Sequence, residues 1–268
     1  MSAEYVHGYG PREGLRLHDQ AAALLELLHS DTVYPEGHSV LEAGCGIGAQ
    51  TEILARQSPG ATIVAIDIEP SAVAATSAVV RSEGLRNVSV AQADLFDLPF
   101  AQESFDHVFA CFVLEHVAQP DLALQKLRAV LKIGGTITAI EGDHGSAYFY
   151  PDSVPARKAI SALVELQARA NGNALIGRSL YPLLRAAGFH DVTVSPRTVY
   201  VDGKRPDLAE GFTRNTFTAM VEGVRDAALA ARLIDASEFD RGVTDLRRAA
   251  EPDGVFCYTF FKAVATKR

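Results

Sequence analysis

Three carboxylates stand at the ends of successive β-type runs of this sequence, and a glycine-rich turn follows the first. Glu42 precedes the glycines of GCGIG, Asp67 closes the run IVAID, and Asp94 closes the run AQAD. Glycine lets a backbone approach a ligand closely and adopt the positive φ that a tight strand-to-helix turn needs. A carboxylate beside this turn attracts an ammonium or sulfonium group and repels a pyrophosphate. The G-x-G-x-G spacing likewise disfavours a dinucleotide site, whose pattern is G-x-G-x-x-G.

Two of these carboxylates suit the nucleoside part of a ligand. Asp67 follows the second β-type run, where a carboxylate can accept both hydroxyls of a ribose. Asp94 could accept from an exocyclic amine such as adenine N6, with Ile68 and Leu95 on either side of the ring. Asp67 alone fits a nicotinamide dinucleotide as well as another adenosine cofactor, so an oxidoreductase on a similar sheet stays open.

Short β-branched runs alternate with helical patterns between positions 38 and 140. SVLEAG, TIVAID, NVSVAQAD, DHVFACFV and GTITAIEG are typical of strands, and residues 50–56 and 71–83 are typical of helices. Strands separated by helices imply right-handed crossovers and a parallel sheet with helices on both faces. In such an open, doubly wound α/β sheet, ligands bind beyond the carboxyl ends of the strands, where the three carboxylates stand.

The rest of the chain predicts a helical cap and two late strands, VTVSPRTVYV and GVFCYTFFKAVATK, which bring the number of strands to seven. We expect residues 1–34 to form an N-terminal arm and helix that act as a lid. Residues 35–268 are expected to form one domain, with helical cap elements at about 145–180 and 205–250. A cap between two late strands would lie over the sheet edge, where it would select the substrate.

The composition favours a small-molecule ligand and a cytoplasmic protein. A formal net charge of −8 disfavours a nucleic-acid partner, because such binding depends on clustered Lys and Arg. The longest apolar stretch, residues 108–114, is far shorter than the roughly 20 residues of a membrane-spanning helix. The cysteines lack C-x-x-C spacing and the histidines share no ligand spacing, so we predict reduced thiols and no metal site. The N-terminus has no signal-peptide pattern, and a homo-oligomer stays open.

Several segments together resemble the class I S-adenosylmethionine-dependent methyltransferases. They are EAGCGIG, IDI, QADLFDLPF, SFDHVFACFVLEHV, LKIGGTITAIEGD and the closing YTFFKAVA, in the order and spacing of that family. The likeness is strong over residues 35–145 and extends to the branch of ubiquinone and menaquinone C-methyltransferases. YGPREGLRL, EGDHG and GRSLYPLL are similar to bacterial terpenoid C-methyltransferases of secondary metabolism, such as the teleocidin enzyme. The family implies a Rossmann-like, mostly parallel seven-stranded sheet with an antiparallel C-terminal strand, and S-adenosylmethionine as cofactor.

The resemblance assigns cofactor contacts to the carboxyl ends of the first four strands and to the N-terminal arm. In chain order these are Tyr5 and Tyr9 as an aromatic closure, Gly44, Cys45 and Gly46 at the methionyl part, Asp67, Ile68, Asp94 and Leu95 at the ribose and adenine, and Cys111, Phe112, Val113 and His116 around the sulfonium. Glu42 joins these cofactor contacts because of its charge beside the glycine turn. Methyl transfer needs no covalent nucleophile, so both cysteines are expected to be small wall residues. A packing role for His116 is an equal alternative.

Catalysis of an in-line methyl transfer comes mostly from holding donor and acceptor at near-attack distance in a water-poor pocket. A base is needed only if the acceptor loses a proton. In EGDHG, the side chains of Glu141, Asp143 and His144 could project toward the acceptor, and His144, with an ordinary pKa of about 6.5, is the first choice of base. In the alternative, Asp143 and His144 cap a loop and Glu141 supports a neighbouring side chain.

The residues after the fifth strand predict the acceptor pocket. Tyr148, Phe149 and Tyr150 form an aromatic run that suits a large apolar substrate, although a core position suits them equally. Arg178 could clamp an anionic group, with a surface salt bridge as the alternative. We therefore predict methyl transfer from S-adenosylmethionine to a small, fairly hydrophobic metabolite, with carbon, as in a terpenoid or alkene, favoured over oxygen or nitrogen as acceptor. An NAD(P)-dependent oxidoreductase is the alternative, and a cofactor-binding protein that transfers nothing is a third.

Overall fold

A computed structural model describes residues 24–268, so Tyr5, Tyr9 and the first part of the predicted lid lie outside the described residues. The strands are β1 (Ser39–Ala43), β2 (Thr62–Asp67), β3 (Val88–Gln92), β4 (Phe105–Cys111), β5 (Leu131–Gly142), β6 (Tyr148–Tyr150), β7 (His190–Val201) and β8 (Val255–Thr266). The helices are α1 (24–29), α2 (Ala49–Gln57), α3 (Pro70–Ser82), α4 (Pro120–Val130), α5 (Val154–Arg169), α6 (Leu180–Ala186), α7 (Pro206–Leu208), α8 (Ala219–Gly223), α9 (Arg225–Ala230) and α10 (Ala236–Arg248).

The described strands form one sheet in the order β3-β2-β1-β4-β5-β8, with β6 and β7 also paired to β8. The first five strands are parallel, and β8 is antiparallel to its neighbours, which confirms the predicted fold class. Over residues 24–268 the sheet has eight strands rather than the expected seven. Because β8 continues beyond the end of β5, its first residues leave a free edge, and β6 pairs with them there.

Two apolar clusters cover the two faces of the sheet. Val108 and Phe109 are neighbours in β4 but enter opposite clusters, because successive side chains of a strand point to opposite faces. Phe109 packs in the cluster that contains Leu28 of α1, and Val108 packs in the cluster that contains Leu124 of α4 and Leu184 of α6. The parallel strands are therefore buried on both sides, and their carboxyl ends are the edge at which a ligand can reach them.

The chain after β7 forms a helical layer next to β8. Residues 206–250, predicted as one helical stretch, divide into separate helices, and π-helical turns at Ala209–Thr218 join α7 to α8. Phe212 and Phe217 project from these turns into the same cluster as Phe256 of β8. Within the described range, no helix combines the length and the apolar character that crossing a bilayer requires.

Candidate functional site

The glycine turn after β1 is held by backbone hydrogen bonds from the adjacent strand. The N–H groups of Gly44 and Cys45 donate to the carbonyl oxygen of Ile66 at 2.8 and 2.9 Å. Gly44 and Gly46 have φ angles of 75° and 53°, in the left-handed region. A Cβ at Gly44 would lie 2.5 Å from Cγ2 of Val113, whereas a Cβ at Gly46 would meet nothing within 4 Å. Packing therefore requires glycine at position 44, and Gly46 borders open space.

Asp67 is fixed at the carboxyl end of β2 by two backbone groups. Its Oδ2 accepts from the N–H of Gly46 at 2.9 Å, and its Oδ1 accepts from the N–H of Glu69 at 3.0 Å. A carboxylate oxygen can accept a second hydrogen bond, so this arrangement orients Asp67 without exhausting it. Ile68, the next residue, leaves 40% of its surface exposed at the same edge. The pair can thus offer hydrogen-bond acceptors and an apolar side to one ligand.

Asp94 lies on this edge but outside the strand. β3 ends at Gln92, so the prediction that Asp94 closes the strand is wrong by two residues. The physical reason is local: Oδ1 of Asp94 accepts from the N–H of Phe96 at 2.8 Å, which turns the chain out of the sheet. Asp94 and Leu95 are both half-buried in this loop.

Glu42 is buried near the end of β1, and neither of its carboxylate oxygens has a hydrogen-bond partner among the described residues. Burial, together with the smaller effect of the charge of Asp67, raises the pKa of Glu42 to about 7, although the nearby hydroxyl of Thr51 acts in the opposite direction. A buried carboxylate without a partner is costly, and a cationic ligand would relieve that cost. The acidic edge expected from the sequence therefore contains one buried carboxyl group for which the described residues provide no hydrogen-bond partner.

Both cysteines near this edge are buried thiols. Burial raises the pKa of Cys45 to about 12, and burial together with Glu141 and Glu42 raises the pKa of Cys111 well above its ordinary value. The thiolate is the nucleophilic form of cysteine, so a raised pKa disfavours reaction of either thiol at neutral pH. Their role as small wall residues of the site stays a prediction.

The turn after β4 is organised by Glu141. Its Oε1 accepts from the N–H groups of Val113 at 3.0 Å and Leu114 at 2.7 Å. Phe112, one residue earlier, has a φ of 58°, unusual for a side chain of this size. Burial, followed by the charge of Glu115, raises the pKa of Glu141 well above its ordinary value. Glu141 thus supports the turn that carries Phe112 and Val113.

Glu115 is a buried residue of this turn that the sequence reasoning missed. Its carbonyl oxygen accepts from the N–H of Asn173 at 2.8 Å, and its Oε2 accepts from Nε2 of Gln167 at 3.2 Å. His116 follows it, with Nε2 lying 3.5 Å from Oε1 of Glu115. These contacts join the turn after β4 to the end of α5, a long-range connection that no local sequence pattern indicates.

Asp143 and Arg178 form a two-point ion pair. Nε of Arg178 donates to Oδ2 of Asp143 at 2.6 Å, and a terminal nitrogen donates to Oδ1 at 2.7 Å. Oδ1 also accepts from the N–H of Gly145 at 3.0 Å and so caps the short turn His144–Ser146. This is the loop-capping and salt-bridge alternative from the sequence. A catalytic Asp143 or a substrate-clamping Arg178 would first have to give up this bond.

His144 is buried beside the end of β5, where its Nδ1 lies 2.7 Å from the hydroxyl oxygen of Tyr258. Its ring meets Phe217 edge-on, with centroids 6.2 Å apart. Tyr258 comes from β8, more than a hundred residues later, and the sequence analysis did not single it out. Phe217 was missed for the same reason, since only the fold brings these segments together.

The predicted aromatic run after β5 does not form one cluster. Tyr148 and Tyr150 are 70% and 62% exposed, whereas Phe149 is half-buried and packs against the core. The three lie in β6, where alternate side chains point to opposite faces. The three rings therefore do not form one cluster, because Tyr148 and Tyr150 share the outer face, and contact of these residues with the acceptor stays a prediction.

A different set of rings lies near His144. Phe212 contacts Tyr258 and Phe260, with both pairs of centroids 5.8 Å apart, and Phe260 contacts Phe112 at 5.6 Å. These rings come from the turn after β4, the π-helical turns and β8. They join the turn that Glu141 supports to the ring of His144, so an apolar wall borders the ends of β4 and β5.

Comparison with known proteins identifies a methyltransferase domain in the part of the chain that contains the ends of β1 to β4. Residues 41–139 match a family model described as a methyltransferase domain. The chain is similar to methyltransferase GfsG of Streptomyces halstedii, with 33% identity over 141 residues, which cover 51% of this chain and 50% of that protein. The chain spans about half the length of the curated relatives that it matches first, with values of 57%, 50% and 35%.

Two solved structures share the fold. The [4+2]-cyclase SpnF is similar with a TM-score of 0.54 and 23% identity, over 94% of this chain and 80% of that one. Geranyl diphosphate C-methyltransferase from Streptomyces coelicolor A3(2), solved with Mg2+, geranyl diphosphate and S-adenosyl-L-homocysteine, has a TM-score of 0.55 and 14% identity, over 93% and 78% of the two chains. At these identities the likeness concerns the architecture alone.

Proposed function

We propose that this chain, whose residues 41–139 match a methyltransferase domain, is a class I S-adenosylmethionine-dependent methyltransferase that methylates a small, fairly hydrophobic metabolite. The observation that carries the proposal is the sheet edge at which three features meet. Glu42 is a buried carboxyl without a partner, Gly46 borders open space, and Asp67 is a carboxylate oriented by the N–H of that same glycine. S-adenosylmethionine, the cofactor of this family, has an ammonium group, a sulfonium and a ribose diol that match these groups.

The residues present fit this cofactor. Glu42 would hold the ammonium group, because a cation supplies the partner that its buried carboxyl lacks. Asp67 would accept the ribose hydroxyls, and Asp94 would accept from the adenine amine. Gly44, Cys45 and Gly46 would line the methionyl part, Ile68 and Leu95 the adenine, and Cys111, Phe112, Val113 and His116 the sulfonium, with Tyr5 and Tyr9 as the proposed closure.

When bound, the cofactor supplies an electrophilic methyl group: the acceptor's electron pair forms the new bond to the methyl carbon while the carbon–sulfur bond breaks and leaves a neutral thioether. The chain's part is to hold the acceptor in line and to exclude water. The rings of Phe112, Phe212 and Phe260 support an apolar acceptor of this kind. Carbon remains our proposed acceptor atom, because several segments of the sequence resemble C-methyltransferases.

All three proposed catalytic residues are engaged in the structure: Glu141 uses one carboxylate oxygen to hold the turn after β4, Asp143 is paired with Arg178, and Nδ1 of His144 lies 2.7 Å from the hydroxyl oxygen of Tyr258. We propose that Glu141 and Asp143 position the site and that His144, the first choice of base, meets the acceptor. Tyr148, Phe149, Tyr150 and Arg178 remain our proposed contacts of the acceptor, although their rings and charge do not form one cluster.

The proposal also includes the expected type of partner, the location and the oligomeric state of the protein. A net charge of −8 supports a small-molecule partner over nucleic acid, and a cytoplasmic location and a homo-oligomer remain proposals. The relatives give no support to an NAD(P)-dependent oxidoreductase, and the unpartnered Glu42 opposes a pyrophosphate at this turn.

Calorimetric titration with S-adenosylhomocysteine and, separately, with NAD tests the cofactor assignment. We expect binding of the first, and Asp67→Ala should weaken it by about 1–3 kcal/mol, the usual cost of stranding hydrogen-bond partners. Asp226→Ala is the matched control, because Asp226 is fully exposed. Preferential binding of NAD, or unchanged affinity in Asp67→Ala, would contradict the proposal. Transfer of tritium from methyl-labelled S-adenosylmethionine to a panel of enols, phenols, amines and alkenes separates an enzyme from a protein that only binds the cofactor.

A further inference from the structure

The carboxyl end of α5 is closed by an asparagine followed by a glycine. The N–H of Asn171 donates to the carbonyl oxygen of Ala168 at 3.0 Å, and the N–H of Gly172 donates to that of Gln167 at 2.8 Å. Asn171 has a φ of 64°, in the left-handed region, where glycine and asparagine commonly end a helix. A Cβ at Gly172 would lie 2.6 Å from the carbonyl oxygen of Glu115, so a side chain does not fit there. The geometry therefore favours an Asn–Gly sequence at this point.

The same segment joins α5 to the turn after β4. The N–H of Asn173 donates to the carbonyl oxygen of Glu115 at 2.8 Å, and Nε2 of Gln167 donates to the same oxygen at 3.2 Å. That turn carries Phe112 and Val113, the proposed neighbours of the sulfonium. A change in the path of the chain just after α5 would therefore disturb the turn through these two hydrogen bonds.

An Asn–Gly sequence can lose ammonia without an enzyme. The backbone nitrogen of Gly172 gives up its proton and attacks Cγ of Asn171, and the side-chain nitrogen takes up a proton and leaves as ammonia. Glycine favours this step because it has no Cβ to hinder the approach. Water then opens the five-membered imide. Cleavage at the side-chain carbonyl gives aspartate, and cleavage at the main-chain carbonyl gives isoaspartate, in which the main chain is one carbon longer.

Asn171 suits this reaction better than the other asparagines of the chain. It is exposed, and of the four asparagines it alone precedes a glycine. The side-chain nitrogen of Asn87 donates to three backbone carbonyl oxygens, and the side-chain oxygen of Asn173 accepts from a backbone N–H. Asn215 precedes a branched threonine. Attack requires the N–H of Gly172 to leave its bond in the last turn of α5, and helix ends open at low cost.

We propose that Asn171 is a modification site: it deamidates without an enzyme, and the isoaspartate formed loosens the turn after β4 and weakens cofactor binding. The effect on the cofactor rests on the proposed function. An extra main-chain carbon has no room beside Gly172, where even an added Cβ would meet the carbonyl oxygen of Glu115. The aspartate product keeps the length of the chain but adds a negative charge at the carboxyl end of α5, where the helix dipole disfavours it. Isoaspartate therefore disturbs this junction more than aspartate does.

Mass spectrometry detects the modification without any activity. After storage in mildly alkaline buffer, trypsin should release residues 170–178 with a mass gain of one unit, which fragmentation should locate at Asn171. We expect the gain to appear later than in a synthetic peptide of the same sequence, because the end of α5 must open first, and earlier than at any other asparagine. Asn171→Gly, which suits the left-handed φ, is the matched control and should show no gain at this position. An unchanged Asn171 after the synthetic peptide has converted completely, or earlier conversion of another asparagine, would overturn the site.

Calorimetry on the modified protein tests the effect on the cofactor. The added negative charge allows anion exchange to separate modified from unmodified protein. The modified protein should bind S-adenosylhomocysteine roughly 3-fold or more weakly, the order expected when a hydrogen bond is lost. Asn171→Asp, which encodes the aspartate product, should lose less, and stored Asn171→Gly should bind as it did before storage. Equal affinities of modified and unmodified protein would overturn this effect.

Urea unfolding distinguishes that outcome from a failure of the proposed function. The modified protein should unfold at a lower urea concentration than the unmodified protein, because the junction between α5 and the turn after β4 is weakened. If freshly prepared protein does not bind S-adenosylhomocysteine, the methyltransferase proposal fails, while the mass gain and the loss of stability still establish the modification site. Identical unfolding midpoints would overturn the loosening of the turn.

Discussion

Replacement of Glu42 by glutamine should stabilise the unliganded protein and weaken its cofactor binding. The native carboxyl is buried, without a hydrogen-bond partner in the described chain, and burial raises its pKa from 4.5 to about 7. The folded state therefore binds a proton that the unfolded state releases between these two pH values. Ionisation of Glu42 consequently destabilises the fold as pH rises from about 4.5 through 7, and the full effect is present above 7.

The magnitude follows from the shift. One pKa unit corresponds to about 1.4 kcal/mol, so above pH 7 the ionised carboxyl of Glu42 destabilises the folded state by about 3 kcal/mol. The desolvation cost of the buried glutamine amide offsets part of the gain in the variant. Urea unfolding of unliganded protein at pH 8 should show Glu42→Gln to be more stable than wild type by about 1–3 kcal/mol. At pH 4.5 the gain should vanish, because the wild-type carboxyl is then protonated in the folded state.

The same substitution should cost affinity, since a neutral amide cannot pair with the ammonium group. Calorimetry at pH 8 should show S-adenosylhomocysteine binding roughly 10-fold or more weaker in Glu42→Gln, the order expected for a lost charge-assisted hydrogen bond. Asp226→Asn, at a fully exposed position, is the control for the removal of one negative charge. A stability difference that does not change with pH, or unchanged cofactor affinity, would refute the reasoning about Glu42.

Three further predictions concern the turn, the ion pair and the arm. Gly44→Ala should lower the free energy of unfolding by about 2–4 kcal/mol, because alanine would take a left-handed φ and its Cβ would collide with Val113. Gly46→Ala should lower it by only about 1 kcal/mol but should impair binding of S-adenosylhomocysteine, because its Cβ would enter the open space beside the turn. Equal losses of unfolding free energy in the two variants would contradict this. Arg178→Leu should lower the free energy of unfolding by about 2 kcal/mol, because it leaves the buried carboxylate of Asp143 without its partner. The double variant Arg178→Leu/Asp143→Asn should recover most of that loss in urea unfolding. Additive effects of the two substitutions on the unfolding free energy would refute this. Deletion of residues 1–12 should speed dissociation of S-adenosylhomocysteine if the arm is a lid, and a wild-type dissociation rate in stopped flow would argue against that role.

The parts of the site that could be predicted are those that the topology of a parallel sheet determines. Glu42 and Asp67 were located from the ends of β-type runs, because the carboxyl ends of parallel strands meet at one edge. Asp94 was placed on the correct edge but two residues inside the strand, since its own side chain turns the chain out of the sheet after Gln92.

The parts that could not be predicted depend on contacts between distant segments. Tyr258 meets His144 across more than a hundred residues, and Glu115 meets Gln167 at the end of α5. Neither contact has a periodicity or spacing from which it could be derived. The expectation that Tyr148 and Phe149 form one cluster is wrong because these residues belong to a strand, β6, whose alternation turns the side chain of Tyr148 outward.

The most direct test of the account is electron density for S-adenosylhomocysteine in crystals of this protein. The account predicts the ribose hydroxyls at the carboxylate of Asp67, the ammonium group at Glu42 and the sulfur beside the turn that carries Phe112. Adenosine density at another place, or full occupancy with Asp67 untouched, would contradict it.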